Sequence, residues 1–337
     1  MKAIAYSRCL PVADPAALED VTLPDPGAPA GRDLLVEVRA VGVNPLDAKL
    51  RGSADPAGKP RILGFEGAGV VRAAGPLCTL LRPGDAVFWT SPPNRPGSNA
   101  ELALVDERGA ARMPANLSFA EAAAMPVGSL TAHEALFDRL RLPRATPPEG
   151  AALLIIGGAG GVGSAAIQLA RALTPLRVVA TASRPESREF CLAMGAHAVL
   201  DHGGDLVAQG RALGVAFPWI FSTTGTAGHW KALCSLVAPQ GLICAIDDVP
   251  GLDAARLRGK SAGLVWEGMF VRALFDTPDR AAQHAALTEV AGLLAAGRMR
   301  STLTRHLGPI TAQSLRAGHA LVEEGRMLGK AVAEGWA

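Results

Sequence analysis

The chain is poor in residues that staple, ligate metals or span membranes. Its five cysteines, Cys9, Cys78, Cys191, Cys234 and Cys244, are odd in number and scattered, with no Cys-x-x-Cys pair. That pattern argues against a disulfide framework and against a cysteine-held zinc lobe, and it fits a reducing cytoplasm. Aromatic residues make up 4% of the chain and Tyr6 is the single tyrosine, so chemistry that needs a phenol has one candidate. Neither sign of charge predominates: the formal net charge is +2, with acids and bases interspersed. Neither nucleic acid nor an acidic surface is implied as a partner. No apolar run reaches the roughly 20 residues needed to cross a bilayer. The N-terminal MKAIAYSRCLP lacks the apolar stretch of a signal peptide. The expectation is a soluble cytoplasmic protein without a membrane segment.

What is present is a globular composition, 49% hydrophobic and 19% charged over 337 residues. That length favours two domains over one core. The most informative stretch runs from Ala151 to Leu173. Leu153-Leu154-Ile155-Ile156 reads as a strand buried on both faces. A glycine-rich turn, Gly157 to Gly163, follows, and then a helix-forming segment, Ala165 to Leu173. Strand, glycine turn and helix in that order are the context in which a G-x-G-x-x-G match carries meaning. The match is Gly158, Gly160 and Gly163, with Gly161 and Val162 between them. Bare backbone there lets the chain turn tightly, lets a pyrophosphate approach a helix N-terminus and lets helix pack on strand.

Around that stretch the texture differs on the two sides. Before residue 125 the chain is rich in proline and glycine, with short strand-like runs. Leu34 to Val43 alternates apolar and polar residues, and Gly64 to Ala73 and Asp85 to Thr90 continue the pattern. Turn signals such as Arg82-Pro83-Gly84-Asp85 separate them, which suggests a β-barrel-like domain. Ser118 and Glu121 form a capping-box pattern that opens a helix. Beyond it strands at Arg177 to Thr181, Ala198 to Leu200, Trp219 to Ser222 and Leu242 to Ile246 alternate with helices, one of them from Pro185 to Met194 with Gly195 as its stop. One helical segment is expected to end at Pro239-Gln240-Gly241. This alternation predicts a doubly wound parallel sheet. A strand-like run from Gly263 to Val271 and a helix from Pro278 to Ala296 follow, in a tail that does not extend the sheet pattern and could return to the first domain.

In the NAD version of this arrangement an acid about 20 residues beyond the glycines holds the adenosine ribose. Here the second strand ends Thr181-Ala182-Ser183-Arg184, and the first acid, Glu186, lies inside the next helix. Thr181 and Ser183 offer hydroxyls, and Arg184 and Arg188 offer cations suited to a 2′-phosphate; the bland alternative for both arginines is a solvated first helical turn. The missing acid favours NADP over NAD, and it weakens a methyltransferase reading of the same loop.

Taken together the motifs resemble the medium-chain dehydrogenase/reductase superfamily, in its zinc-free quinone oxidoreductase-like branch. Within that branch the chain is most similar to bacterial proteins labelled zinc-type alcohol dehydrogenase-like. The resemblance rests on Gly42-Val43-Asn44-Pro45-Leu46-Asp47, Gly64-Phe65-Glu66-Gly67-Ala68-Gly69-Val70-Val71, Arg82-Pro83-Gly84-Asp85-Ala86-Val87, Gly97-Ser98-Asn99-Ala100-Glu101, Ser129-Leu130-Thr131-Ala132, the Gly158 to Ser164 turn and Gly329-Lys330. It implies an α/β fold in which a Rossmann domain, residues 127–262, is inserted into a GroES-like β-barrel domain, residues 1–126, rejoined by 263–337. The zinc enzymes place a cysteine where this chain has Asn44 and a histidine where it has Phe65, and the short Trp89 to Gly97 segment replaces their cysteine-rich loop. A catalytic zinc needs three N, S or O ligands, so zinc-dependent alcohol oxidation is disfavoured.

The remaining activity the resemblance implies is hydride transfer from NADPH to a quinone or small α,β-unsaturated carbonyl. Asn44 and Thr131 would lie by the nicotinamide and the acceptor, Asn44 either as donor to a carbonyl gaining charge or as a turn residue before proline. Asp47 and Lys49 are polar candidates near the same cleft or surface residues. Ile246 and Asp247 end the last strand, where such sheets meet ligands, and Lys330 is a further cofactor candidate. His202 packs on the adenine or serves a turn. Phe65, Trp266, Met269 and Phe270 line an acceptor pocket or the core. A homodimer paired along the Leu242 to Ile246 and Gly263 to Val271 edge is also implied. A non-catalytic NADPH-binding protein of the same fold remains the second reading.

Overall fold

The computed structural model describes residues 1–337 and divides into two compact units, Met1–Val127 with Phe270–Ala337, and Gly128–Met269. No helix is long and apolar enough to cross a membrane.

The first unit holds strands β1 (Lys2–Tyr6), β2 (Glu19–Thr22), β3 (Asp33–Gly42), β4 (Arg61–Ile62), β5 (Glu66–Ala74), β6 (Ala86–Thr90), β7 (Leu102–Asp106) and β8 (Ala110–Arg112). Along β3 the inward set Leu34, Val36 and Val38 is fully buried while Arg39 is exposed, the period-2 pattern of a half-buried strand. β3 pairs antiparallel with β5, and β5 with β6. Two strands from the chain's end, β15 (Leu303–His306) and β16 (Lys330–Glu334), complete a seven-stranded sheet in the order β15-β16-β3-β5-β6-β8, with β7 also on β3. The pairing of β16 with β3 sets Val332 opposite Gly42. This register brings Lys330 to the segment just beyond β3. Helix α1 (Pro45–Ser53) begins there, and α2 (Phe119–Ala123) opens with the expected capping box, Ser118 N–H on Glu121 at 2.8 Å.

The second unit begins within α3 (Pro126–His133), which runs into a π-helical turn, Glu134–Arg139. Then come β9 (Ala151–Ile156), α4 (Gly161–Leu173), β10 (Arg177–Thr181), α5 (Pro185–Ala193), β11 (Ala198–Leu200), α6 (Leu206–Ala212), β12 (Ala216–Ser222), α7 (Thr226–Leu236), β13 (Val237–Ala245) and β14 (Gly263–Trp266). All six strands are parallel, in the order β11-β10-β9-β12-β13-β14. The chain reverses its direction of sheet growth at β9, so the carboxyl ends of β9 and β12 form the crevice where such sheets take ligands. Every residue of β9 is buried, which explains its unbroken apolar run. Later helices are α8 (Val271–Leu274), α9 (Ala282–Ala295) and α10 (Ala312–Glu323).

Several sequence expectations are corrected here. The run from Gly263 to Val271 is not one strand: β14 stops at Trp266, because Glu267 turns into a buried polar contact, and Val271 starts a helix. The tail extends the sheet after all, since β14 is its sixth strand, and the return to the first unit comes at Phe270 rather than at residue 263. α4 starts at Gly161, so Gly161, Val162 and Gly163 are its first turn. α7 ends at Leu236, and Pro239-Gln240-Gly241 lies inside β13. The later helix starts at Ala282 instead of Pro278.

Candidate active site

In the first unit four polar side chains are buried together. Asn44 caps α1, and its N–H donates to Asp47 Oδ2 at 2.8 Å, while the other Asp47 oxygen accepts from Gly64 N–H at 2.9 Å. The Asn44 amide is held at both ends: its Oδ1 accepts from Lys330 Nζ at 2.6 Å and its Nδ2 donates to Glu66 Oε1 at 2.9 Å. Lys330 also pairs with Glu66 directly and reaches the Val43 carbonyl at 3.2 Å. The second Glu66 oxygen accepts from Val127 N–H at 2.8 Å. Glu66 is fully buried, and Asn44, Asp47 and Lys330 nearly so. The burial of these charges is tolerated because each is matched. A Cβ at Gly42 would come within 2.5 Å of Glu66 Oε1, so the glycine leaves room for the carboxylate.

This geometry orients the Asn44 amide unambiguously, since only its oxygen can accept from an ammonium. One Nδ2 hydrogen remains beyond the one given to Glu66. Burial pushes Asp47 up to about 7, reinforced by the Glu66 charge and opposed by the backbone N–H groups of Asn44 and Gly64 and by Lys330. Phe65 is buried and its ring stands 5.7 Å from that of Phe270, so these two pocket candidates meet. Trp266 is half exposed at the end of β14, and Met269 is buried in the second unit. Tyr6 is fully buried with its hydroxyl donating to the Ala54 carbonyl at 2.7 Å, which removes it as a proton donor.

In the second unit the glycine turn is built as its spacing implies, and each glycine has a different reason. Gly157 adopts φ +76°, a left-handed backbone that a side chain would strain. A Cβ at Gly158 would lie 2.7 Å from Ala180 Cβ and 2.9 Å from Cys191 Sγ, and one at Gly163 would lie 2.2 Å from the Gly157 carbonyl oxygen. Those two glycines serve packing. Gly160 is unlike them: a Cβ there meets nothing nearer than 3.8 Å, although the residue caps α4. Open space in front of a helix N-terminus with unsatisfied N–H groups is where a phosphate fits. The open space at Gly160, in front of the first turn of α4, is of the kind that suits the pyrophosphate of a nicotinamide dinucleotide.

The flanking candidates divide by placement. Thr181 is fully buried, accepts from Gly157 N–H at 3.1 Å and bonds His202 Nδ1 at 3.1 Å. Its hydroxyl ties the glycine loop to the end of β10 and to His202. Ser183 is exposed, and Arg184, at the cap of α5, forms an ion pair with Glu186 at 3.0 Å. Arg188 is half-buried on the same helix. His202 stands 5.7 Å from His229, and burial holds both imidazoles below their ordinary values. Asp247 accepts from Thr226 N–H at 2.9 Å and from the Thr226 hydroxyl, so it caps α7. Ile246 N–H donates to Ser222 at 3.3 Å across the strand ends. Thr131 is buried on α3, whose Gly128 packs so closely that a Cβ would lie 2.9 Å from the Gly161 carbonyl. Lys330, a further cofactor candidate of the sequence, is fastened to Glu66 and Asn44.

Sequence reasoning passed over Glu66 and His229. A lone acid inside the glycine-rich, apolar run from Gly64 to Val71 was the signal for Glu66, since a charge there demands a partner. His229 lies on a helix without any local motif.

Comparison with known proteins agrees with this architecture. Residues 30–130 match the alcohol dehydrogenase GroES-like domain and residues 161–248 the zinc-binding dehydrogenase family. A zinc-type alcohol dehydrogenase-like protein of Staphylococcus aureus (strain COL) is 39% identical over 90% of this chain and 91% of its own. A Rhizobium etli CFN 42 protein named after the zinc-dependent alcohol dehydrogenases superposes with a TM-score of 0.96 at 49% identity, covering 100% and 98% of the two chains. The quinone oxidoreductase of Pseudomonas aeruginosa is 30% identical over 87% of this chain and 88% of its own. A mycobacterial protein solved in complex with NADPH superposes with a TM-score of 0.81 at 26% identity, covering 99% and 100%.

Proposed function

Because the chain belongs to the medium-chain dehydrogenase/reductase superfamily, a family of nicotinamide-dependent oxidoreductases, we propose that it is an NADPH-dependent reductase of quinones or small α,β-unsaturated carbonyls that works without a catalytic zinc. The observation that carries the reading is the Asn44–Lys330–Glu66 network. Lys330 places an ammonium against the Asn44 oxygen and the Glu66 carboxylate, the donor atoms a cation would otherwise take. Phe65 offers hydrocarbon beside them. This donor set does not fit zinc, which needs three N, S or O ligands and an open position.

The cofactor, when bound, supplies the hydride. The chain's own residues bind and orient. Gly160 and the first turn of α4 would hold the pyrophosphate, and Ser183, Arg184 and Arg188 would hold the 2′-phosphate. Asn44, locked by Lys330 and Glu66, keeps one N–H to donate to an acceptor oxygen that gains charge. A fixed donor of this kind costs no reorganisation at the moment of transfer. Phe65 and Phe270 favour a flat apolar acceptor. With Tyr6 engaged elsewhere, the acceptor's proton comes from solvent, which suits quinones and small enones. The five free cysteines fit a cytoplasmic setting. The outer edge of β14, bearing the half-exposed Trp266, supports a homodimer formed by pairing of these edges. NADPH oxidation by the purified protein against a panel of quinones and small enones tests the reading. Rates no higher than the uncatalysed ones across the panel would refute it and favour a protein that binds NADPH without catalysis.

A further inference from the structure

A second buried acid cluster lies at the carboxyl end of β14, separate from the Asn44 network. Glu267 follows Trp266 directly, its side chain is fully buried, and its N–H donates to the Ala245 carbonyl at 3.0 Å, which registers it beside Ile246. Glu134 opens the π-helical turn one helical turn beyond Thr131, is itself buried, and its carboxyl hydrogen-bonds that of Glu267. Arg139 closes the same turn and donates from Nε to Glu267 Oε2 at 2.8 Å. Apart from the Glu134 carboxyl, the other oxygen, Glu267 Oε1, meets no donor.

Two carboxyls in hydrogen-bonding contact need one proton between them, since two carboxylates offer only acceptors and repel. With that proton the cluster carries one negative charge against the Arg139 guanidinium. Without it, two buried carboxylates stand in contact beside the Arg139 guanidinium. The remaining titratable neighbour, the Cys244 thiol on β13, cannot compensate: burial pushes it up to about 12. Burial first, then the charge and hydrogen bond of Glu134, push Glu267 up to about 8, with Arg139 opposing.

We propose that Glu134 and Glu267 share one proton at neutral pH, and that this proton positions the cofactor cradle by tying the helix of Thr131 to the strand ends at Ile246 and Trp266. The pair does not itself touch the reacting atoms; it acts through Thr131 and the ends of β13 and β14. The positioning role rests on the cofactor reading above, whereas the shared proton does not. Deprotonation separates the two acids and loosens that wall, so the cradle weakens as pH rises through about 8.

The test combines infrared spectroscopy with cofactor binding. In wild type the Glu134–Glu267 pair is expected to give its own deuterium-sensitive protonated-carboxyl band at pH 7, lost on Glu267→Gln and reduced on Glu134→Gln, beside a separate Asp47 band that persists in both variants. The pair's band should vanish with a midpoint near pH 8. NADPH affinity, read by fluorescence titration, should be level up to about pH 7.5 and then fall by as much as about tenfold per pH unit, the limit for one linked proton. Glu267→Gln, which stays neutral, should remove that fall. No band difference between wild type and Glu267→Gln overturns the shared proton whether or not NADPH binds. A band present with pH-independent NADPH affinity overturns the positioning role. Absence of NADPH binding at pH 7 overturns the cofactor reading and the positioning role together, and the band alone then decides the shared proton.

Discussion

Replacing Glu66 by glutamine keeps the shape of the side chain and removes the charge that Lys330 and Asn44 are arranged around. Lys330 is almost entirely buried, so it loses its ionic partner inside the protein. Breaking a buried pair from one side costs roughly 3–5 kcal/mol. Two acceptors remain for the ammonium, Asn44 Oδ1 at 2.6 Å and the Val43 carbonyl at 3.2 Å, which places the loss at the lower end. The glutamine has one carbonyl oxygen where Glu66 uses two, so either Val127 N–H or the Lys330 side goes unmatched, for about 1 kcal/mol more. A total of about 4 kcal/mol is a large share of the roughly 5–15 kcal/mol by which native proteins are stable.

The effect should also depend on pH, through Asp47. Its folded value is raised to about 7, so the stability held by its proton is complete below its ordinary value near 4 and is lost progressively as pH rises to about 7. Removing the Glu66 charge lowers the folded value and narrows that window. Glu66→Gln therefore loses less stability on going from acid to neutral pH than wild type does, and its deficit is larger near pH 5 than near pH 8. Glu267, in the second unit, is the same in both proteins and cancels from the comparison. Urea unfolding at the two pH values, with unchanged m, measures the deficit. A deficit under about 1 kcal/mol, or one equal at both pH values, would refute the reasoning.

Gly160→Ala should leave urea stability within about 0.5 kcal/mol, since the site is open and its φ of −77° suits any residue, yet weaken NADPH binding at least tenfold in titration. Gly163→Ala should destabilise by about 2 kcal/mol or more because its Cβ would press on the Gly157 oxygen. NADPH should bind more tightly than NADH by about tenfold, the lower end for one charge-assisted contact, because the Glu186 ion pair competes for Arg184. Arg184→Ala should erase most of that preference, and equal affinities in wild type would refute the 2′-phosphate assignment. Light scattering at micromolar concentration should give the mass of a dimer, and a monomeric mass would count against pairing along β14.

The nucleotide half of the fold was readable because each step of it is local. The buried run of β9, the glycine turn and the amphipathic α4 lie in one short stretch, and the glycines' steric reasons are set by near neighbours such as Gly157 and Ala180. The polar network of the first unit was only half visible. Asn44 and Asp47 announce themselves as a capped helix start, but Lys330 reaches them through the pairing of β16 with β3, a long-range event without a local signature. The sequence therefore does not show that Lys330 and Glu66 meet. The burial of Thr181 is hidden in the sequence for a related reason: a hydroxyl at a strand end looks available, and only the closing of the loop turns it inward. The strand-like run from Gly263 to Val271 shows in the sequence, but not its end at Trp266, because the residues beyond are mostly apolar and only the fold shows Glu267 turning into a buried contact.

The central claim is that Asn44, held by Lys330 and Glu66, polarises the acceptor where related enzymes use a metal. NADPH-dependent quinone reduction should be measured on protein exhaustively dialysed against a chelator, with its zinc content determined by elemental analysis and the assay repeated after zinc is restored. Undiminished reduction at a negligible zinc content, unaffected by added zinc and reduced by at least about a hundredfold in Asn44→Ala, as loss of one preorganised donor commonly costs, is the expected result. One tightly held zinc per chain, with activity lost on its removal and regained on its return, would contradict the claim.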